Sequence, residues 1–262
     1  MLMNKMRKIN PKRIVIKVGT NVLTNENGIL DDKIINSIAD QIAQIKNNGS
    51  KVILITSGAI GAGMSELNLK KPEDIVMKQV CAAVGQSILM SKYREFFKEH
   101  NAKIAQILLS YDEFSNKAKL KNLKNSINNL LELHVVPIIN ENDPVSIDEI
   151  GHSFGDNDKL SALVATNMGA TLLILLTNVD GLYNKSPEND GAELLKEVSK
   201  IDKSIESMAG KTSSLGLGGM KTKIEAAKIA TQKGINVIIA NGKSENILLK
   251  LIRGEEIGTY FI

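Results

Sequence analysis

The chain has 262 residues, 43% of them hydrophobic, and its formal net charge is only +4, from 33 lysine and arginine against 29 aspartate and glutamate residues. This length and apolar content predict a folded protein with a sizeable core. Aromatic residues make up only 3% of the chain, and tryptophan is absent. Because sequence-tolerant nucleic-acid binders need aromatic stacking platforms, we expect no nucleic-acid partner.

The cysteine count and the hydropathy exclude two further classes. The one cysteine, Cys81, cannot form an internal disulfide framework, which is typical of a reducing compartment. The charged N-terminus is not followed by an apolar stretch of signal-peptide length, and no segment reaches the roughly 18 apolar residues of a membrane span. We therefore expect a cytoplasmic protein without a membrane partner.

Taken in chain order, short apolar runs rich in β-branched residues alternate with segments of helical period. Apolar runs without alternation are typical of strands covered on both faces, so the sheet is predicted to be largely parallel. The predicted strands span 14–18, 52–55, 104–109, 135–139, 172–176 and 235–240. The predicted helices span 31–48, 73–99, 120–133, 158–168, 221–233 and 244–252. This pattern predicts an α/β fold, a three-layer αβα sandwich.

No repeat, low-complexity stretch or proline-rich linker divides the chain. We expect a single domain over 1–262 with two lobes, about 1–150 and 151–262. The softer boundary is placed near Asp143-Pro144, where a predicted strand ends and a polar loop follows.

Two corners that combine lysine with glycine lie at opposite ends of the chain. The first is Ile16-Lys17-Val18-Gly19-Thr20, and the second is Gly216-Leu217-Gly218-Gly219-Met220-Lys221-Thr222-Lys223. Glycine lets backbone N–H groups approach an anion closely, and lysine supplies a point charge for phosphate. Each corner alone could be a tight turn with a surface lysine, but together they suggest a bound phosphoryl group.

Polar residues follow the predicted strands where ligands bind in open α/β sheets, beyond the carboxyl ends. Thr56-Ser57-Gly58 follows the second strand, Asn140-Glu141-Asn142-Asp143 the fourth, and Thr177-Asn178 the fifth. Gly155-Asp156-Asn157-Asp158 leads into a predicted helix. The three histidines show no metal-ligand spacing, so we expect no metal site built from protein side chains.

These motifs resemble the glutamate 5-kinase family of the amino acid kinase superfamily. The resemblance rests on the motifs above together with Ala82-Ala83-Val84-Gly85-Gln86, and it runs in order over essentially the whole chain. It implies an amino acid kinase fold with a glutamate-binding N-terminal lobe and a nucleotide-binding C-terminal lobe. The implied reaction is ATP-dependent phosphorylation of the side-chain carboxylate of L-glutamate, the first step of proline biosynthesis, with Mg²⁺ held mainly by phosphate oxygens.

The resemblance also implies roles for individual residues. Lys17 and Lys223 would contact the transferring phosphoryl group from opposite lobes, and Asp158 would orient both ammonium groups. The implied glutamate-binding residues are Ser57, Asp143, Asp156 and Asn157. The implied ATP-binding residues are Lys17, Gly19, Thr177, Asn178, Leu217, Gly218, Gly219, Met220, Lys221, Thr222 and Lys223.

The chain departs from the family pattern in three nucleotide-contacting positions. Asn178 replaces a common aspartate, and Leu217 and Lys221 replace threonine and serine, so nucleotide preference is left open. Many relatives carry a C-terminal PUA domain, and we expect this form to lack it because the sequence stops at Ile262. The family further suggests a homo-oligomer, a dimer or tetramer, and feedback inhibition by proline.

Two alternatives stay open at this point. One is another amino acid kinase acting on acetylglutamate, aspartate, carbamate or a nucleoside monophosphate. The other is a non-catalytic nucleotide-binding regulatory protein, against which the presence of both lysines and the acidic residue argues.

Overall fold

The computed structural model describes residues 7, 9–25, 28–145, 157–209 and 219–262. Its strands are β1 Arg13–Val18, β2 Lys51–Ile55, β3 Lys103–Leu109, β4 Val135–Glu141, β5 Leu172–Thr177, β6 Glu197–Val198, β7 Asn236–Asn241 and β8 Thr259–Phe261. Its helices are α1 Thr20–Leu23, α2 Asp32–Asn47, α3 Ala59–Glu66, α4 Ile75–Glu99, α5 Asp112–Ser115, α6 Lys117–Glu132, α7 Asp158–Asn167, α8 Lys203–Ala209, α9 Met220–Thr231 and α10 Ile247–Ile252, with a 3-10 turn at Asp143–Val145.

The strands form an eight-stranded, mostly parallel sheet, as predicted. Every residue of β5 is buried, which requires cover on both faces of the sheet and confirms the αβα layering. All six predicted strands and all six predicted helices are present, with ends displaced by a few residues at most. Among the described residues, no helix is long and apolar enough to cross a membrane.

The chain divides into two compact units. The first unit comprises Met1–Lys17 and His152–Ile262, and its strand order is β1-β5-β7-β8-β6. The second unit comprises Val18–Gly151, with the order β3-β4-β2. The functional lobes at 1–150 and 151–262 stay a prediction.

Two strands of the first unit were not predicted. β8 has three residues and pairs antiparallel with β7, while the two-residue β6 pairs parallel with β8. Strands this short carry no readable periodicity, and distant contacts hold them. The Arg7 guanidinium donates to the Ile257 carbonyl at 2.8 Å and lies 5.2 Å from the centre of the Tyr260 ring, a cation–π distance.

In the second unit, helices α3 and α4 pack with their backbones in contact. A Cβ atom added at Gly85 would lie 1.8 Å from the Ala59 carbonyl oxygen, and one added at Gly63 would lie 1.8 Å from the Cys81 carbonyl oxygen. No side chain larger than hydrogen fits at either position. The two glycines therefore fix how α4 approaches the first turn of α3, directly after β2.

We predict that Gly85→Ala strongly destabilises the protein. Alanine favours a helix over glycine by about 1 kcal/mol, but the clash is with backbone and cannot be relieved by a rotamer change, so we expect a net loss of about 3 kcal/mol or more. The measurement is the free energy of unfolding in urea.

Gly169→Ala is the matched control, because Gly169 has φ +64° and no atom within 4 Å of an added Cβ. Its cost is limited to backbone strain of about 1–2 kcal/mol. Equal losses for the two variants would contradict the close α3–α4 contact.

Candidate active site

Two buried lysines share one buried carboxylate in the first unit. The Asp158 Oδ1 atom lies 3.0 Å from the Lys17 ammonium nitrogen, and Oδ2 lies 3.1 Å from that of Lys223. The Thr222 hydroxyl donates to Oδ2 at 2.8 Å. We call Lys17, Asp158, Thr222 and Lys223 the lysine–aspartate cluster. It brings together the three residues predicted as catalytic.

Each member of the cluster is placed by the element that carries it. Lys17 lies in the buried strand β1, and no part of the lysine is exposed to solvent. Asp158 is the first residue of α7, where a negative charge interacts favourably with the helix dipole. Lys223 and Thr222 lie in the first turn of α9, which packs against α7.

Burial and charge act in opposite directions on the titrating groups. Desolvation lowers the pKa of Lys17 to about 8, although the Asp158 charge works to raise it. Burial also disfavours the charged form of Asp158, but the two ammonium groups outweigh it and hold the pKa of that carboxyl below its ordinary value. At neutral pH, Lys17 is thus protonated and Asp158 ionised. The cluster places two positive charges against one negative charge in a buried setting, an arrangement that favours an incoming anion.

The second unit carries its own polar edge where β2 and β4 end. The Thr56 N–H donates to the Ile139 carbonyl at 2.9 Å, which extends the parallel pairing and aligns Thr56 with Asn140. Ser57 follows Thr56, and Gly58, in the left-handed conformation at φ 97°, turns the chain into α3. Ser57 is 8% and Asn140 3% exposed. Both polar side chains therefore lie at the carboxyl ends of neighbouring strands.

Helix α4 holds this polar edge at two points. The Tyr93 and Thr56 hydroxyl oxygens are 2.9 Å apart, and the Asn140 Nδ2 atom donates to Gln86 Oε1 at 2.8 Å. Gln86 and Tyr93 are two helical turns apart, so they lie on the same face of α4. Burial raises the pKa of the Tyr93 hydroxyl, which stays neutral and shares its hydrogen bond with Thr56.

The remaining predicted site residues lie at element ends. Gly19 is the N-cap residue of α1, Thr177 ends β5 and is followed by the exposed Asn178, and Asn157 is the buried N-cap residue of α7. Asp143 opens the 3-10 turn that packs against α4. Gly219 is the N-cap residue of α9, in which Met220 is buried and Lys221 exposed. Asp156, Leu217 and Gly218 lie outside the described residues.

Thr56, Tyr93 and Gln86 had no individually predicted role. Gln86 stands in a recognised motif, Ala82-Ala83-Val84-Gly85-Gln86, so a signal was present. The contact of Tyr93 with Thr56 could not be predicted, because the two residues are 37 positions apart and no local sequence pattern links them. In the part of the chain that the structure describes, no group of three or more His, Cys, Asp or Glu side chains could hold a metal ion.

Comparisons with known proteins assign the fold to a family. The amino acid kinase family matches residues 12–241, so the chain belongs to that family. Carbamate kinase from Giardia lamblia bound to AMP-PNP superposes with a TM-score of 0.66 at 17% identity, covering 96% of this chain and 98% of that one. UMP kinase from Ureaplasma parvum superposes with a TM-score of 0.63 at 19% identity, covering 97% and 99%. At such low identity these two structures support the fold alone.

Curated sequences give a narrower similarity. The chain is 47% identical over 264 residues to glutamate 5-kinase from Clostridium perfringens, covering 98% of each protein. It is 49% identical over 260 residues to glutamate 5-kinase from Methanosarcina barkeri, covering 95% of this chain and 68% of that protein. Glutamate 5-kinase from Methanococcoides burtonii is 46% identical over 254 residues, covering 96% and 68%.

Replacing the shared carboxylate tests the electrostatics of the cluster. We expect Asp158→Asn to lower the free energy of unfolding at pH 7 by about 3–5 kcal/mol, because it leaves two buried ammonium groups without their counter-charge. Adding Lys17→Met should recover part of that loss, giving a coupling energy of at least about 1 kcal/mol in a double-mutant cycle measured by urea unfolding.

The control is Glu206→Gln, which breaks the exposed Lys228–Glu206 pair, whose nitrogen and oxygen are 2.6 Å apart. Its cost should stay below about 1 kcal/mol. Additive losses in the Asp158 and Lys17 cycle would contradict the interaction.

Proposed function

We infer that this protein is an ATP-dependent kinase that phosphorylates the side-chain carboxylate of L-glutamate, giving L-glutamyl 5-phosphate and ADP, the first step of proline biosynthesis. The observation that carries this is the 46–49% identity to glutamate 5-kinases over 95–98% of the chain. The lysine–aspartate cluster is the kind of site that phosphoryl transfer requires.

The chemistry needs positioning and charge stabilisation rather than a general base. A glutamate side chain is ionised at neutral pH, so its oxygen is already a nucleophile. That oxygen bonds to the γ-phosphorus as the bond to the bridging oxygen breaks, and ADP departs with the electron pair. No described histidine belongs to the cluster, and the proposed mechanism requires no general base.

Lys17 and Lys223 are proposed as the catalytic residues that neutralise charge on the transferring phosphoryl group. Fixed ammonium groups in a buried site act strongly on charge that develops in the transition state. Asp158 is proposed to keep both in place, since its two oxygens contact one ammonium nitrogen each, at 3.0 and 3.1 Å.

ATP binding is proposed for the residues around these lysines. The N-terminus of the 12-residue helix α9 begins at Gly219 without a side-chain cap, and first-turn N–H groups favour phosphate. Met220, Lys221 and Thr222 follow in that turn. Gly19, Thr177 and Asn178 are proposed as further nucleotide contacts, as are Leu217 and Gly218, which lie outside the described residues.

Mg²⁺ is proposed as the metal that accompanies ATP. It neutralises phosphate charge when bound. Both oxygens of Asp158 are already engaged by ammonium groups, so the metal would be held by phosphate oxygens rather than by this carboxylate.

Glutamate binding is proposed for Ser57, Asp143 and Asn157. Asp156, outside the described residues, completes the proposed set. A serine hydroxyl and an amide N–H suit the carboxylates, and acidic side chains suit the α-ammonium group. Action in the cytoplasm, assembly into a homo-oligomer and inhibition by proline are proposed on the family resemblance alone.

Acyl-phosphate formation trapped with hydroxylamine tests the function. With ATP and Mg²⁺, we expect trapped product from glutamate and little from acetylglutamate or aspartate. Carbamate and UMP are tested by ADP release, and we expect little from either. Lys17→Met and Lys223→Met should each lower kcat by on the order of a hundredfold or more, because each removes one preorganised charge.

The matched control is Lys228→Ala, a lysine on the same helix as Lys223 whose side chain is 45% exposed and pairs with Glu206. Its kcat should match that of the unmodified protein. A folded protein that gives no glutamate-dependent product would overturn the assignment.

The pH dependence follows from the lowered pKa of Lys17, about 8. Its positive charge is present below that pH and is lost as the pH rises through it. Because kcat/KM for ATP reports the free enzyme, we expect it to fall on the order of tenfold per pH unit above that value. The measurement is kcat/KM at low ATP from pH 6.5 to 10.

Lys17→Met should give a low kcat/KM without this fall, since the titrating group is gone. If the unmodified enzyme stays level up to pH 10, the protonated Lys17 is not required for ATP use.

A further inference from the structure

The amide side chains of Asn140 and Gln86 form a directional chain of hydrogen bonds in the second unit. The Glu141 backbone N–H donates to Asn140 Oδ1 at 2.9 Å, which fixes the amide oxygen at that end. Asn140 Nδ2 must then be the donor at the other end, and it contacts Gln86 Oε1 at 2.8 Å. Turning the Gln86 amide around would set two donors against each other. A backbone N–H thus fixes the orientation of both amides.

This orientation leaves the Gln86 Nε2 group as a buried donor. Gln86 is 8% exposed, and its Nε2 atom is buried without a hydrogen-bond acceptor among the described residues. Buried donors in folded proteins nearly always have an acceptor, because an unmet donor costs its full desolvation free energy. The group that satisfies Nε2 must offer an oxygen. An ammonium group could not do so, since it has no lone pair to accept with.

The backbone contact of α3 with α4 holds this donor at the polar edge of the sheet. Gly85, the residue before Gln86, lies against the Ala59 carbonyl with no space for a side chain. Ala59 is the first residue of α3, directly after Ser57 and Gly58. Asn140, the partner of Gln86, is aligned with Thr56 in the neighbouring strand. Gln86 Nε2 therefore lies in the same region as the Ser57 hydroxyl and the start of α3, groups that donate hydrogen bonds to anions.

We propose that Gln86 is a substrate-binding residue whose Nε2 group donates a hydrogen bond to a carboxylate oxygen of the amino acid substrate. The inference rests on the proposed function and deepens it, because it adds a residue to the glutamate site. Asn140 acts through Gln86 by directing its N–H groups. The amide chain also makes the site selective for a carboxylate, because it presents an N–H donor there. An amide turned the other way would present an oxygen, which repels a carboxylate.

Two variants separate this role from simple support of Asn140. Gln86→Glu has nearly the same shape and keeps an oxygen for Asn140 Nδ2, but it replaces the donating nitrogen by oxygen. Gln86→Met removes both ends without adding charge. We expect both to raise KM for glutamate by on the order of tenfold to a hundredfold, the effect of losing a hydrogen bond to a charged group. KM for ATP should stay within twofold, and the increase in Tm caused by glutamate without ATP should shrink in both.

Gln44→Glu provides the matched control for the amide-to-carboxylate change. Gln44 lies on the exposed face of α2, where its Nε2 group contacts Asp40 at 3.0 Å. All of its constants should equal those of the unmodified enzyme. The Tm of each variant alone reports on folding, and both substitutions are expected to lower it. Gln86→Met leaves Asn140 Nδ2 without its acceptor, and Gln86→Glu buries a charge without a cationic partner.

The outcomes distinguish this inference from the proposed function. If the unmodified protein forms no glutamate-dependent product, the function itself is wrong. If the unmodified protein is active but either Gln86 variant keeps KM for glutamate within twofold, the function stands and Gln86 is only structural. A parallel rise in KM for both glutamate and ATP would also overturn the specific role, because it would indicate a general loss of structure.

Discussion

The structure of the candidate active site depends on one carboxylate, that of Asp158, shared between two buried ammonium groups. Three elements meet at it: strand β1 brings Lys17, helix α7 brings Asp158, and helix α9 brings Lys223. Each lysine alone would be too costly to bury. With both contacts near 3 Å, the carboxylate makes the arrangement tolerable and fixes the separation of the two positive charges.

Such a cluster suits a reaction in which the nucleophile needs no activation. Phosphoryl transfer to an ionised carboxylate requires that the protein orient the reactants and supply positive charge. A rigid buried site supplies both without reorganising during the reaction. The same burial that makes the charges effective lowers the pKa of Lys17 to about 8. The positive charge that would serve catalysis is therefore lost as the pH rises through about 8.

In the second unit, backbone contact and hydrogen bonds between neutral groups hold the polar side chains in place. Gly63 and Gly85 let helices α3 and α4 touch, and the contacts of Tyr93 with Thr56 and of Gln86 with Asn140 tie α4 to the ends of two strands. Neutral groups avoid the cost of burying charge, and amides have a direction that a hydroxyl lacks. Because the amide of Gln86 accepts from Asn140 with its oxygen, its nitrogen becomes a donor of defined orientation.

How much of this the sequence determined differs from feature to feature. The six long strands were predictable because buried parallel strands are continuously apolar. The phosphate-binding role of the two lysine and glycine corners stays a prediction. The strands β6 and β8 were not predictable, because two or three residues carry no period and their pairing depends on distant partners such as Arg7.

The sequence by itself therefore determined the layered fold, the family and the residues that carry charge. Only the tertiary structure decided that Lys17 and Lys223 meet on the same carboxylate and that Gln86 faces Asn140 with its nitrogen turned away. The physical reason is range. Local patterns record how a segment interacts with its own neighbours along the chain, whereas an ion pair or an amide orientation depends on which distant atoms packing brings within about 3 Å.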